Sequence, residues 1–142
     1  MITHSSVNEA HTLQQQGHPY VDVRSSQEFA DAHPAGAVNV PIFEHDPDSG
    51  QMTPNPDFVR VIQAHFPNDR KILLGCQAGM RSMRAAQVLE TFGFADLVNV
   101  SGGFGGAPGY RGWAAAGLPV ETGDTPGQCY ADVLARADAL GS

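Results

Sequence analysis

Short apolar runs separated by amphipathic stretches extend along most of the chain. Four of these runs predict strands, because they are rich in branched and aromatic side chains and end near turn-forming residues. The predicted strands cover residues 20–23, 37–40, 71–75 and 97–100. Since the runs are continuous rather than alternating, both faces of the sheet that they form are expected to be buried.

Helix signals precede and separate these strands. Residues 6–9 and 25–28 are capping boxes, in which a serine is followed three residues later by a glutamate. The four predicted helices start at Ser6, Ser25, Asn55 and Ser82. The third helix is predicted to reach about His65 and the fourth about Phe92. The stretch from Glu44 to Pro54 is predicted to be a polar surface loop.

The alternation of helices and strands indicates the fold class. Short buried strands that alternate with helices are typical of a parallel sheet covered on both faces. The sequence therefore predicts a three-layer α/β domain. In such domains, ligands bind at the carboxyl ends of the strands.

Composition and charge limit the function classes. The 142 residues are 42% hydrophobic, which suits one domain with a buried core. A net charge of -7 with only 8 lysines and arginines argues against nucleic acid as a partner. No basic leader or long apolar stretch is present, so we expect a cytoplasmic protein with no membrane partner. The two cysteines form no C-x-x-C pair, and a reducing compartment would keep them free.

The most informative segment is the run of residues 71–82, which contains Cys76. An apolar strand ends just before this cysteine, and a helix is predicted to begin just after it. Backbone N–H groups at a helix start converge on one point and carry the positive end of the helix dipole. They favour thiolate over thiol, so Cys76 is predicted to be reactive toward an anionic substrate.

Four segments in order resemble signatures of the single-domain rhodanese family of sulfurtransferases. They are residues 20–29, residues 33–41, the Cys76–Ser82 loop, and Gly102–Gly103 with Trp113 and residues 117–121. The resemblance implies a rhodanese-like domain over residues 1–121, with a central five-stranded, mainly parallel sheet. It also implies a reaction: the cysteine takes a sulfane sulfur from a small anionic donor such as thiosulfate, becomes a persulfide, and passes the sulfur to cyanide, a thiol or a protein acceptor. No cofactor is implied.

The loop residues suit individual steps of that reaction. Cys76 is the predicted nucleophile. Arg81 and the backbone N–H groups of the loop are expected to hold the donor and then the persulfide sulfur. These N–H groups belong to Gln77, Ala78, Gly79, Met80 and Arg81. Gly79 is expected to adopt a positive φ angle. Ser82 is expected to cap the following helix and to donate a hydroxyl hydrogen bond.

Two charged residues near the first strand are assigned a supporting role. Asp22 and Arg24 are expected to form a structural ion pair that braces nearby loops rather than to act in catalysis. His33 matches a family position, but its spacing from the other histidines does not suit a metal. A surface or turn role is predicted for His33, and no bound metal is predicted.

Two alternatives to a sulfurtransferase remain open. The cell-cycle dual-specificity phosphatases share this fold but have five residues between cysteine and arginine, whereas this chain has the four residues 77–80. The shorter loop disfavours a phosphatase or arsenate reductase, because it makes a smaller cradle. A non-catalytic persulfide carrier or binding module is the other alternative.

One segment departs from the family pattern. Residues 104–112 are an insertion between the paired glycines and Trp113, and the glycine-rich run 102–109 is predicted to be a turn-rich loop. Either the insertion borders the active site, with Phe104, Tyr110 and Arg111 at its mouth, or it is only a longer surface turn.

The tail, residues 122–142, is predicted to be a C-terminal extension with a helix over residues 130–140 that packs on the domain. Cys129 lies at the start of that helix. It is either a resolving cysteine or, as we favour, a bystander thiol.

Overall fold

The computed structural model describes residues 1–141 and contains nine strands and five helices. The strands are β1 (Ile2–Ser5), β2 (Tyr20–Asp22), β3 (His33–Pro34), β4 (Val38–Asn39), β5 (Phe43–His45), β6 (Met52–Pro54), β7 (Ile72–Gly75), β8 (Leu97–Val100) and β9 (Val120–Glu121). The helices are α1 (Val7–Gln15), α2 (Ser26–Asp31), α3 (Phe58–His65), α4 (Met80–Thr91) and α5 (Tyr130–Gly141).

The central sheet has five strands in the order β1-β8-β7-β2-β4, and every neighbouring pair is parallel. The predicted five-stranded α/β fold is therefore confirmed. Sequence analysis named only four of these strands, because β1 has a mixed composition and lies at an edge with three of its four side chains partly or fully exposed. Pairing with β8, from Ile2 opposite Leu97 to Ser5 opposite Val100, makes it a strand.

Successive side chains along the strands enter two different cores. Leu74 and Leu97 pack with residues of α3, α4 and α5, whereas Leu73 and Val98 pack with residues of α1 and α2. Since strand side chains alternate between faces, the two clusters are the two interior faces of a three-layer domain. Trp113 is buried in the second core and donates its indole N–H to the carbonyl of Pro119 at 2.7 Å.

Both predicted capping boxes are present. The hydroxyl of Ser6 accepts the N–H of Glu9, and the hydroxyl of Ser25 accepts the N–H of Glu28. Each glutamate carboxylate accepts the serine N–H in return. The helix predicted from Asn55 begins three residues later, at Phe58, because Asn55 forms a turn that accepts the N–H groups of Asp57 and Phe58.

Two local predictions are wrong. The segment predicted as a loop from Glu44 to Pro54 contains the antiparallel hairpin of β5 and β6, whose side chains are largely exposed and so show no buried pattern. His33 was predicted to have a surface or turn role, but it is fully buried. Its ring stacks on Phe29 at 3.6 Å between centroids, and its nitrogens bond the Phe29 carbonyl and the Thr125 hydroxyl.

Helix α5 lies against α3 in the first core. Val133 and Ala137 are buried there, and the imidazole of His65 bonds the Val133 carbonyl at 2.9 Å. The segment beyond residue 121 thus shares its apolar contacts with the rest of the domain. The proposed boundary at residue 121 stays a prediction. None of the helices in residues 1–141 has the length and apolar content that crossing a membrane requires.

Candidate active site

Cys76 follows the last residue of β7, at the carboxyl end of the central sheet, and its side chain is buried. The residue before it, Gly75, lies against the hydroxyl of Tyr20, so that a side chain at position 75 would collide with the phenol ring. A small residue is therefore required where the strand gives way to the loop. The strand ends at a fixed point and places the sulfur beneath the loop.

The thiol accepts a backbone hydrogen bond from within its own loop. The N–H of Gly79 points at the Cys76 Sγ at 3.0 Å. Gly79 has a φ angle of 94°, as predicted, and this conformation turns the chain sharply into α4. A hydrogen bond from an N–H donor favours the anionic sulfur over the neutral thiol.

The remaining backbone donors of the loop have no protein partner. Within residues 1–141, no acceptor takes the N–H groups of Gln77, Ala78, Met80 or Arg81. Orphan donors at a helix N-terminus form a binding place for an anion. The loop therefore has spare donors for a bound sulfur donor or for the outer sulfur of a persulfide.

Ser82 lies beneath the loop rather than at the start of the helix. Because α4 begins at Met80, the prediction that Ser82 caps this helix is wrong; it is the third helical residue. Its hydroxyl is completely buried, 3.4 Å from the Cys76 Sγ and 2.6 Å from the Oδ1 of Asn99. Sequence analysis missed Asn99, since one asparagine within a buried strand carries no motif.

The guanidinium of Arg81 is held by a carboxylate. Its two terminal nitrogens donate to the two carboxylate oxygens of Glu28, at 2.6 and 2.9 Å. Partial burial acts to raise the pKa of Glu28, but the Arg81 and Ser25 hydrogen bonds outweigh it and hold that pKa at about 2. The fork-to-fork pair fixes the first turn of α4 against α2. A role for Arg81 in holding the donor stays a prediction.

The Glu28→Gln variant is expected to be less stable than the native protein by about 1 to 3 kcal/mol at pH 7. A carboxylate whose folded pKa is depressed contributes stability above its ordinary value of 4.5, and this contribution is lost as the pH falls toward about 2. Urea unfolding gives the free energy of unfolding of wild type and of Glu28→Gln. The difference between the two should become smaller as the pH is lowered from 7 to 2. Glu90→Gln, which removes an exposed partner of the chain terminus, is the control and should change little.

Asp22 and Arg24 form the predicted ion pair, and both side chains are buried. The guanidinium of Arg24 bonds both oxygens of Asp22 and also the carbonyl of Ala32 at 2.6 Å. It lies 3.4 Å from the Oε1 of Gln77 and 4.6 Å from the centre of the Phe104 ring. Arg24 thus links the Cys76 loop to the insertion.

The start of the insertion is bonded directly to the Cys76 loop. The N–H of Phe104 donates to the carbonyl of Cys76 at 2.7 Å, and the N–H of Gly105 donates to that of Gln77 at 2.9 Å. Gly103 has a φ angle of 57° and would bring a side chain into the Cys76 carbonyl. These contacts favour the first of the two interpretations of the insertion, in which it borders the loop.

Two cavities flank the Cys76 loop. One is lined by Phe104, Gln77, Arg24 and Glu28 together with Asp31 and Ala32. The other is lined by His4, Ala78, Gly79, Met80, Met83, Asn99, Ser101, Ala107, Pro108 and Tyr110. Neither of these two cavities has Cys76 or Arg111 among its lining residues. The loop lies between them, with Gln77 lining one cavity and Ala78 and Gly79 lining the other.

No three His, Cys, Asp or Glu side chains of residues 1–141 come close enough together to hold a metal ion. Both cysteines are free thiols, and Cys129 is buried next to the start of α5.

Comparison with known proteins identifies the family of this chain. The sequence profile of the Rhodanese-like domain family matches residues 6–107. The chain belongs to this rhodanese-like family.

Its relatives include plant sulfurtransferases. It is 39% identical over 116 residues to Thiosulfate sulfurtransferase 16, chloroplastic, from Arabidopsis thaliana, covering 82% of this chain and 90% of the relative. It is 34% identical over 118 residues to Thiosulfate sulfurtransferase 18 of the same plant, covering 82% and 81%. Among solved structures, Rv0390 from M. tuberculosis superimposes with a TM-score of 0.69 at 28% identity, covering 85% of this chain and 98% of that one.

Proposed function

We propose that this protein is a sulfurtransferase that moves a sulfane sulfur from thiosulfate or a related anionic donor to a thiophilic acceptor through a persulfide on Cys76. The observation that carries the proposal is the position of the sulfur: it accepts the Gly79 N–H at 3.0 Å within a loop whose other backbone N–H groups find no acceptor among residues 1–141. The names of the two Arabidopsis relatives support thiosulfate as the donor class.

The first half of the reaction requires a thiolate and a leaving anion. The Cys76 thiolate attacks the outer sulfur of thiosulfate, the S–S bond of the donor breaks, and sulfite leaves with the bonding electron pair. Free N–H groups of Ala78, Met80 and Arg81 are suited to hold the negative charge of the donor while this happens.

The second half regenerates the thiolate. An acceptor nucleophile, such as cyanide, a thiol or a protein sulfur acceptor, attacks the outer sulfur of the persulfide, and Cys76 leaves as thiolate. The hydrogen bond from Gly79 stabilises that leaving group, because it is stronger to an anionic sulfur than to a neutral one. The two recesses beside the loop are the proposed approaches for the acceptor.

The loop suits sulfur better than phosphate. Four residues separate Cys76 from Arg81, and both terminal nitrogens of Arg81 are occupied by Glu28. A phosphatase needs donors around three phosphoryl oxygens and a general acid for its leaving alcohol. Two carboxylates beside the loop, Glu28 and Asp22, are each paired with an arginine. The proposed reaction needs no such acid, because sulfite leaves as an anion.

A reducing compartment would keep Cys76 available for this chemistry, since thiols there resist disulfide formation. The proposal therefore includes a cytoplasmic location, as the sequence predicts.

Steady-state kinetics with thiosulfate and cyanide test the proposal. Double displacement predicts parallel lines in double-reciprocal plots and complete loss of turnover in Cys76→Ala. Cys129→Ser is the matched control and should retain activity, because Cys129 lies in a different core cluster from Cys76. A persulfide that forms but is not turned over by cyanide or small thiols would instead indicate a protein-specific carrier. Activity on an aryl phosphate that disappears in Cys76→Ala would overturn the proposal in favour of a phosphatase.

A further inference from the structure

A line of hydrogen-bonding side chains runs from the protein surface to the buried sulfur. His4 lies on the edge strand β1, directly opposite Asn99 on β8. The Nδ1 of His4 is 3.2 Å from the Nδ2 of Asn99, whose Oδ1 accepts the Ser82 hydroxyl at 2.6 Å. The same hydroxyl oxygen is 3.4 Å from the Cys76 Sγ. His4 is exposed, whereas the other three side chains are buried.

The hydroxyl of Ser82 has a single hydrogen, so it cannot donate to every neighbour at once. In the structure it lies near three acceptors: the Oδ1 of Asn99 at 2.6 Å, the carbonyl oxygen of Gly79 at 3.2 Å and the Cys76 Sγ at 3.4 Å. A hydroxyl that donates to Asn99 turns a lone pair toward the Cys76 Sγ. That arrangement accepts a hydrogen from a thiol and disfavours a thiolate.

The orientation of the Asn99 amide decides which way the hydroxyl points. The oxygen of the side-chain amide only accepts hydrogen bonds, and the NH₂ group only donates them. A rotation of the amide by 180° exchanges the positions of the two groups. A neutral His4 with a lone pair on Nδ1 accepts from the Asn99 Nδ2, as the 3.2 Å contact allows. A protonated imidazole donates from both nitrogens, so it pairs only with the amide oxygen. The amide NH₂ group then faces Ser82, whose oxygen accepts from it.

We propose that His4 is a positioning residue that acts through Asn99 and Ser82 on the Cys76 sulfur. When His4 is protonated, the Asn99 amide turns, and the Ser82 hydrogen is left with the Gly79 carbonyl and the Sγ as acceptors. A thiolate is the stronger acceptor of the two because it is charged, so the hydrogen rotates toward it and the thiolate gains a second hydrogen bond. No proton travels along the line: His4 takes its proton from solvent, the thiol releases its own to solvent, and the amide and hydroxyl only rotate. The inference rests on the proposed function insofar as the thiolate is the nucleophile.

The surroundings of His4 contain few other charges. It shares its recess with Met80, Met83, Pro108 and Tyr110, of which only the tyrosine titrates. Strand β1 is also packed by α1, α4 and β8. The charged groups at the ends of those elements that lie toward the loop are Glu9, bonded to the Ser6 N–H, and Arg81, paired with Glu28.

The ionisable groups beside Cys76 do not change charge between about pH 5 and 8. Arg81 and Tyr20 both interact electrostatically with the sulfur. Arginine remains protonated throughout this range, and burial raises the pKa of Tyr20 well above it. The pKa of Glu28, about 2, lies below it. Arg24 and Asp22 stay paired behind the loop. Histidine is the side-chain type whose charge changes within this range, and His4 is the histidine at the outer end of the hydrogen-bonded line.

The rate of Cys76 alkylation by iodoacetamide, followed across pH 5 to 9 on the peptide that contains Cys76, tests the inference. Near pH 6, His4→Phe should react at least about tenfold more slowly than wild type, the size expected for losing one hydrogen bond to a charged group. The two curves should converge above about pH 8, where histidine is neutral. His18→Phe, at a histidine that lines a recess away from the loop, should follow the wild-type curve. A His4→Phe curve that coincides with the wild-type curve overturns the inference.

A double-mutant cycle tests whether His4 acts through Asn99. In an Asn99→Leu background, His4→Phe should have no further effect on the alkylation profile. The reciprocal readout is the titration of His4 by NMR, which linkage requires to move to lower pH when Cys76 is replaced by serine. An unchanged His4 titration contradicts the inference even if Asn99→Leu does not fold. These measurements use no sulfur donor, so their outcome does not depend on whether the protein transfers sulfur.

Discussion

Gly79→Ala is expected to lower kcat/KM for thiosulfate about 100-fold or more, the cost of losing one preorganised donor to a reacting anion. Residue 79 has a φ angle of 94°, which disfavours a side chain, and a Cβ there would lie 2.7 Å from the carbonyl oxygen of Ser101. The backbone must shift to relieve this contact, and the shift moves the Gly79 N–H away from the Cys76 Sγ. Steady-state kinetics at saturating acceptor give the measurement.

Gly109→Ala is the matched control for that variant. Gly109 has a similar φ angle of 80°, but no atom lies within 4 Å of a Cβ built there. Both variants therefore carry the cost of a left-handed backbone, whereas only Gly79→Ala disturbs the contact with the sulfur. If activity falls by the same factor in both, the Gly79 hydrogen bond does not act in the reaction.

Arg24→Met is expected to lower the free energy of unfolding by about 3 to 5 kcal/mol. The substitution leaves the Asp22 carboxylate buried without its charged partner, and it also frees the Ala32 carbonyl. Methionine retains an apolar stem of similar length, so the loss comes mainly from the uncompensated charge. Equilibrium unfolding in urea, with the slope against denaturant compared between variants, measures the change.

Arg60→Met is the control for Arg24→Met. Arg60 also pairs with aspartates, Asp57 and Asp138, but its side chain is 48% exposed, compared with 4% for Arg24. An exposed pair contributes little, because solvent screens it and replaces its hydrogen bonds. Equal destabilisation of the two variants would show that the buried Asp22–Arg24 pair contributes no more to the free energy of unfolding than an exposed pair does.

The fold was predictable because the three inner strands are buried on both faces and therefore consist of nearly continuous apolar residues, as in residues 72–74. The capping boxes at Ser6 and Ser25 were predictable for a different reason: their hydrogen bonds are local in sequence. Strand β1 and the β5–β6 hairpin were not, since their side chains are mostly exposed and their identity comes from pairing with distant segments.

In the candidate site, too, the features that are local in sequence were predictable and the contacts between distant segments were not. Cys76, Gly79 and the free N–H groups follow from one contiguous loop, so their arrangement could be inferred from sequence. The partners of Ser82 and Arg81 could not, because Asn99 and Glu28 reach the loop from other elements. The burial of His33 depends likewise on contacts with Phe29 and Thr125, which no local pattern encodes.

Persulfide formation on Cys76 is the most direct test of the central claim. Purified protein is mixed with thiosulfate, freed of excess donor and analysed by intact mass, together with Cys76→Ala and Cys129→Ser. The account predicts the added mass of one sulfur atom on wild type and Cys129→Ser, none on Cys76→Ala, and loss of that mass when cyanide is added. Absence of an adduct on wild type with thiosulfate, mercaptopyruvate and polysulfide alike would contradict it.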